Sequence, residues 1–399
     1  MNGRSTEFKS VRMGFLTVED ARDVRTWSGT PHFMAKGLEK HFGKIELLGP
    51  LSSRRLRAYK LFGAAVERLS GRRYLPLAVP AVAREIAAIA KKRVAEARPD
   101  VVFWPAGSVA AGQIPTDTPL IYSSDATFNL IDGYHPRYRN LTAASRRGAH
   151  ALEASAIRRA DLIIYPTEWA ARSARDDYGA DPDRIHVIPY GANLGDPPDR
   201  QSALRPRDDR QCGLLFVGGN WHEKGADIAL GTLRALREMG VNAELTICGC
   251  TPPASVDSEG LTILPFLDKS KAIDFARLNQ CFLEADFLLV PTRADCFGIV
   301  FCEASAYGVP SIATDTGGVS CVVREGINGH TLPFDAGPET YAALIAEIFV
   351  DRERYMALKT SSRDLFEELL NWDVWARTIA RLTDDLIGER GFASSKAEQ

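Results

Sequence analysis

Two acidic side chains eight residues apart, Asp295 and Glu303, stand in the stretch of this sequence best suited to chemistry. They belong to Pro291-Thr-Arg-Ala-Asp295-Cys-Phe297-Gly298-Ile299-Val300-Phe-Cys-Glu303-Ala-Ser-Ala-Tyr-Gly308-Val-Pro310, which follows an apolar run ending at Val290 and leads into a helical pattern. Gly298 lets a ligand approach the backbone, and the amides of a helix start can receive an anion. Asp295 falls at that start. Glu303 is less ordinary. Its neighbours one turn away are Ile299, Val300, Ala306 and Tyr307, with no cation among them. A carboxylate buried without partners costs several kcal/mol, so this one needs donors. The two hydroxyls of a ribose would supply them; a backbone cap or a distant arginine is the alternative.

A second stretch, Phe216-Val-Gly218-Gly219-Asn220-Trp-His-Glu-Lys224-Gly225, puts glycines directly after a strand and a lysine at a helix entrance. The backbone can then come close to a diphosphate while the ammonium supplies a point charge. Taken alone, a lysine in that place is as readily solvated. The spacing fits neither the P-loop nor the dinucleotide glycine pattern, which argues against ATPases and dehydrogenases. Gly29, before the first helix, stands where a phosphate could be met from another side, or is a plain turn glycine.

The elements that must position these groups alternate. Strand patterns fall at 11–18, 101–104, 120–122, 162–165 and 186–188, with helices at 82–97 and 143–159. Thr30 suits an N-cap with Pro31 at the first helical position, and Met34, Leu38 and Phe42 recur every four residues until Gly43. Residues 189–210, rich in Pro and Gly and closing in a charged patch at 205–210, read as a linker. A second series follows, with strands at 214–217, 243–248, 261–264, 287–290 and 311–313 and helices at 226–239, 271–284 and 299–307. The tail from 338 to 387 is helical in pattern. Such alternation implies α/β architecture, here two doubly wound Rossmann-like domains facing a central cleft. The expected division is 1–195, a linker at 196–210, 211–371, and a C-terminal helix at 372–399 that packs back on the N-terminal domain.

Charge divides the same way. Residues 1–200 carry 30 Lys and Arg against 22 Asp and Glu, and residues 201–399 carry 19 against 29, so a net charge of −2 hides a basic half and an acidic half. No apolar run approaches the ~18 residues of a membrane span, and the polar segment 1–10 lacks the pattern of a secretory signal. The seven cysteines contain no CxxC pair, which points to reduced thiols and a cytoplasmic setting. Cys248 and Cys250 form a lone CxC that reads as small apolar packing more readily than as half of a metal site.

Together these residues resemble the retaining glycosyltransferases of family 4, the group 1 enzymes of the GT-B fold. Asp295 and Glu303 match that family's Glu-x7-Glu motif with Asp in first place. Phe297-Gly298, Glu303-Ala304, Gly308-x-Pro310, Thr314-Asp-Thr-Gly317-Gly318, Phe216-Val-Gly218 and Lys224-Gly225 agree in the same order. The resemblance implies that Glu303 holds the nucleotide ribose and that Asp295 contacts the donor sugar. The amides around Phe297, Gly298, Ile299 and Val300 would line sugar and diphosphate. Lys224 would neutralise the leaving diphosphate beside Gly218, Gly219 and Asn220, with Gly29 covering it from the N-terminal domain. Gly249 and Phe266 would flank the base. The donor implied is a UDP- or GDP-sugar, with no metal and no cofactor, and glycan biosynthesis is the implied setting. Two places depart from the pattern. Gly219 stands where the family commonly has an Arg, and Asp125 where it often has a His. An Asp there could accept a hydroxyl from the donor sugar but could not stabilise an anion.

The acceptor is less legible: a carbohydrate, a lipid-linked molecule or a small molecule. Arg54, Arg55, Arg57, Lys60, Arg68, Arg72 and Arg73 against Glu67 form one basic cluster, and Arg137, Arg139, Arg146, Arg147, Arg158 and Arg159 another. They are either a solvated face or an attraction to an acidic acceptor or to the inner face of a membrane. Nucleic acid is disfavoured because aromatic residues are sparse among them. A sugar-nucleotide epimerase, a phosphorylase of the same architecture and a non-catalytic nucleotide-sugar-binding protein are the alternative functions.

Overall fold

The computed structural model describes residues 11–397 other than 116, 208–209, 254–255 and 257–258, with side chains to residue 388. The polar segment 1–10, two residues of the 205–210 patch and the last two of the expected 372–399 helix lie outside that description. The chain forms two compact units, Met1–Pro189 with Trp372–Gln399, and Tyr190–Asn371.

The first unit is built on a six-stranded parallel sheet: β1 (Arg12–Phe15), β2 (Lys44–Leu47), β3 (Val101–Pro105), β4 (Leu120–Ser123), β5 (Leu162–Tyr165) and β6 (Ile185–Val187), in the order β2-β1-β3-β4-β5-β6. The central strands are buried on both faces, which is why they read as unbroken apolar runs. Edge strand β2, Lys-Ile-Glu-Leu, is only half-buried and gave no such signal. Helix Pro80–Ala97 turns Val82, Ala83, Ile86, Ala87, Ala90 and Val94 onto the sheet at spacings of three and four. The first helix, Thr30–Glu39, is capped by Gly29, not Thr30. Thr30 is already helical (φ −53°, ψ −47°), while Gly29 takes φ +86°, where L side chains are strained. The last helix, Trp372–Ala397, belongs to this unit. Trp375 is fully buried with its ring edge-on to Phe103 at 5.6 Å, and His41 bonds Asp373 at 3.1 Å.

The second unit carries β7 (Cys212–Val217), β8 (Ala243–Cys248), β9 (Leu261–Leu264), β10 (Phe287–Val290), β11 (Ser311–Thr314) and β12 (Gly329–Leu332), all parallel, ordered β12-β11-β10-β7-β8-β9. The segment expected as a linker at 196–210 is part of this unit. The Pro- and Gly-rich stretch is pinned, not free: Arg200 pairs with Asp364 and Glu367, Arg363 donates to the Pro198 carbonyl, and Ala192, Leu194 and Ala203 are buried. The division therefore falls between Pro189 and Tyr190.

In each sheet the strand order reverses once, between β1 and β3 in the first and between β7 and β10 in the second. The crevice outside the carboxyl ends at such a switch point is where doubly wound sheets bind ligands.

Candidate active site

At the switch point of the second sheet, the chain leaves β7 through Gly218 and Gly219. The Gly218 amide donates to the Cys248 carbonyl at 3.0 Å, and Gly249 (φ +101°) packs so closely that a Cβ there would lie 3.0 Å from the Gly218 oxygen. The Asn220 side-chain oxygen accepts the amides of His222 (3.1 Å) and Glu223 (2.9 Å), and the resulting turn ends at Gly225, the N-cap of helix Ala226–Glu238. Gly225 cannot be anything larger without movement: a Cβ would sit 1.9 Å from the Pro291 carbonyl oxygen. This close crossing brings the β7 and β10 loops together. Lys224 Nζ lies 2.5 Å from Asp295 Oδ2 and 3.4 Å from the Ala294 carbonyl. Two residues picked out separately in the sequence thus form one ion pair.

Beyond Asp295 the loop passes the buried Phe297, whose ring meets Tyr190 edge-on at 5.3 Å, and reaches Gly298 (φ +85°), the N-cap of helix Ile299–Ala306. Half-buried Ile299 and Val300 open that helix, where amides have no carbonyl one turn earlier to donate to. Glu303 lies one turn further, 2 % exposed.

Glu303 has no cation within a helical turn, yet it is paired from a distance, by a lysine and not an arginine. Lys269, from the loop after β9, forms an ion pair with Glu303 and also donates to the Asn193 carbonyl at 3.4 Å. The Asn193 amide donates to the Glu303 carboxylate. Burial pushes the Glu303 carboxyl above its ordinary value, against the pull of Lys269. The helical turns on either side of Glu303 hold no cation, and this one lies 34 residues away.

The one arginine of the β10 loop does not stand in for the departure at Gly219. Arg293 on the β10 loop is committed to Asp227 through two 2.8 Å bonds and to the His222 carbonyl. Phe266, following β9, is two-thirds exposed. Burial pushes the Cys248 thiol up to about 12 and the Cys250 thiol to about 11, the behaviour of packed thiols, not of thiolate ligands.

In the first unit, the loop before the first helix holds three successive residues in the left-handed region, Trp27 (φ 46°), Ser28 (φ 56°) and Gly29 (φ 86°). Non-glycine residues there store strain, a recurrent property of functional loops. The Trp27 indole N–H donates to Asp125 Oδ2 at 3.2 Å. Helix Phe128–Ile131 follows with Thr127 at its N-cap. Behind it lies a group that the sequence reading missed. Glu153, buried in helix Ala143–Arg159, accepts from the Tyr122 hydroxyl at 3.0 Å and from Ser108. Burial, with a contribution from nearby Asp125, raises its carboxyl to about 7.

Two α/β units of this topology are the GT-B glycosyltransferase architecture. Sucrose-phosphate synthase from Thermosynechococcus elongatus superposes with a TM-score of 0.66 at 16% identity, over 95% of this chain and 100% of that one. Anabaena HepE in complex with UDP-glucose superposes with a TM-score of 0.62 at 16% identity, over 94% and 100%. The family pattern described as "Glycosyltransferase Family 4" matches residues 32–196, and "Glycosyl transferases group 1" matches residues 211–351. The chain belongs to the group 1 glycosyltransferases. It is similar to the D-inositol 3-phosphate glycosyltransferases of Geodermatophilus obscurus (30% identity over 58% of this chain and 53% of that one) and of Acidothermus cellulolyticus (30% over 61% and 57%). The chain thus spans little more than half the length of those relatives.

Proposed function

We propose that this chain transfers a hexosyl group from a nucleoside-diphosphate sugar to a hydroxyl of a carbohydrate, lipid-linked or small-molecule acceptor, with retention of configuration and without a metal ion. The observation that carries the reading is the Lys224–Asp295 pair, set at the switch point of the second sheet beside the start of helix Ile299–Ala306. The relatives' printed acceptor, an inositol phosphate, and the UDP-glucose complex of HepE support a sugar-nucleotide donor and a polyol phosphate as first choices to test.

The reaction breaks the bond between the anomeric carbon and a diphosphate oxygen while the acceptor oxygen bonds to that carbon. Negative charge grows on the departing diphosphate. Lys224 and the Ile299 and Val300 amides are placed to stabilise such charge, fixed in position before it forms. Asp295 holds the ammonium and contacts the donor sugar. The acceptor proton passes to the leaving phosphate oxygen on the same face, so no carboxylate need act as covalent nucleophile. Glu303 takes the ribose diol, and Lys269 orients that buried carboxylate and favours its charged form against the effect of burial.

Purified chain incubated with UDP- or GDP-sugars and inositol phosphates or sugar acceptors should release nucleoside diphosphate only when both substrates are present, with the α/β outcome read by NMR. Epimerised donor, free sugar phosphate, or tight donor binding with no transfer to any acceptor would each replace the reading with one of its rivals.

A further inference from the structure

Helix Arg54–Ser70 has two apolar faces, and the unit uses only one. Leu56 and Gly63 are buried against the body of the unit, with Tyr59 and Val66 half-buried. On the opposite side Ala58, Leu61, Phe62, Ala65 and Leu69 follow at intervals of three and four, an apolar stripe that points to solvent. Leu61 is 77 % exposed, Leu69 88 % and Phe62 54 %. A helix on a soluble surface ordinarily puts charge there. The helix is nonetheless well made: Ser53 Oγ accepts the Leu56 amide at 3.0 Å, and Gly71 closes it at φ +65°.

The flanks of the stripe are basic. Arg57, Lys60 and Arg68 line one side of it, Arg54 stands at its first turn, Arg72 and Arg73 follow, and none of the six has an ion-pair partner among the described residues. Arg55 alone is paired, with Glu85 at 3.9 Å. Glu67 is the one acid on the helix. An apolar stripe about 17 Å long beside unpaired cations matches a bilayer interface: the stripe enters the acyl boundary, and the long stems let the charges stay at the headgroups. No described helix is long and apolar enough to span a membrane.

We propose that helix Arg54–Ser70 lies flat on an anionic lipid surface, with Leu61, Phe62 and Leu69 inserted and Arg54, Arg57, Lys60 and Arg68 against the headgroups. The contact places the first unit at a membrane whatever its acceptor, so it does not rest on the transfer chemistry.

The test is co-sedimentation of the full chain with vesicles of phosphatidylcholine alone or with about one third phosphatidylglycerol. Binding is expected only to the anionic vesicles and should weaken as salt rises. Each cation near an anionic leaflet strengthens partitioning about fivefold, so Arg57→Gln with Arg68→Gln should weaken it about 25-fold. Leu61→Gln with Leu69→Gln should weaken it at least about tenfold at unchanged charge. All four side chains are exposed, so the melting temperature should hold, and donor turnover on a water-soluble acceptor reports separately on the active site. Absence of wild-type binding, equal binding to neutral vesicles, or equal binding by either variant would overturn the proposal. So would self-association of the wild type that the leucine variant abolishes, which would make a second copy the occupant.

Discussion

Replacing Lys269 by methionine keeps the length of the side chain and removes the charge that faces Glu303. Loss of packing should be small, since the stem is nearly conserved (below about 1.5 kcal/mol). The electrostatic cost is larger and has two routes. If Glu303, 2 % exposed, stays ionised, breaking a buried pair costs about 3–5 kcal/mol. If it takes a proton instead, the cost is set by pH. From an ordinary value of 4.5 that is at most about 3.4 kcal/mol at pH 7 and at most about 0.7 kcal/mol at pH 5, because the wild-type carboxyl, itself held above that value, already carries part of it. At pH 7 the routes are comparable; at pH 5 protonation wins. For a unit of 150–250 residues each kcal/mol moves the melting temperature by about 2–4 °C. Calorimetry should therefore show a drop of up to about 14 °C at pH 7 and of at most about 3 °C at pH 5. Adding Glu303→Gln should restore most of the loss at pH 7, because it removes the orphaned charge. Equal losses at the two pH values, or no recovery in the double variant, would refute the argument that charge holds this site together.

Lys224→Ala should lower kcat by about 10²–10³-fold with the melting temperature within a few degrees of wild type, and near-normal turnover would remove the lysine from the reaction. Glu153→Gln tests the carboxyl raised to about 7 in the first unit. Because its folded value lies above the unfolded 4.5, the native state binds the proton more tightly, so its stabilisation is complete at low pH and lost as pH rises towards 7, about 3 kcal/mol in all. The glutamine variant should gain on wild type by that amount between pH 5 and pH 8 in urea titrations; a pH-independent difference would contradict the assignment. Gly225→Ala should cost at least about 2 kcal/mol, since its Cβ meets the Pro291 oxygen at 1.9 Å and φ is +78°. Gly240→Ala, with φ +83° and nothing within 4 Å, should cost only about 1–2 kcal/mol by the same urea assay.

Much of the fold was legible because doubly wound sheets bury their central strands on both faces. β3, β5 and β10 are continuous apolar runs bounded by polar turns, and helix Ala143–Arg159 was found to the residue. What was missed has a shared cause. β2 and β12 lie at sheet edges, where a Lys-Ile-Glu-Leu or Gly-His-Thr-Leu segment is stabilised by the neighbouring strand, not by its own pattern. Residues 196–210 have a linker's composition and a packed segment's contacts, because Asp364, Glu367 and Arg363 meet them from over 160 residues away. The site follows the same rule. Lys224, Asp295 and Gly298 announce themselves through local glycines and strand ends. Lys269 could not be matched to Glu303, nor Trp27 to Asp125, because pairing across loops is a property of the folded sheet and leaves no periodicity.

The return of residues Trp372–Ala397 to the first unit has a consequence for biosynthesis. Trp375 covers Phe103, and a Cβ on Gly37 would collide with the Trp372 carbonyl, so the last helix is an integral layer of a unit whose other elements were translated long before. At about 5–20 residues per second, a ribosome needs roughly 10–40 s to go from Pro189 to the start of that helix. For that interval the nascent first unit carries a bare apolar flank around Phe103, while the second unit emerges and can close on its own. Chaperone dependence should therefore concentrate on the half of the protein that is made first and finished last.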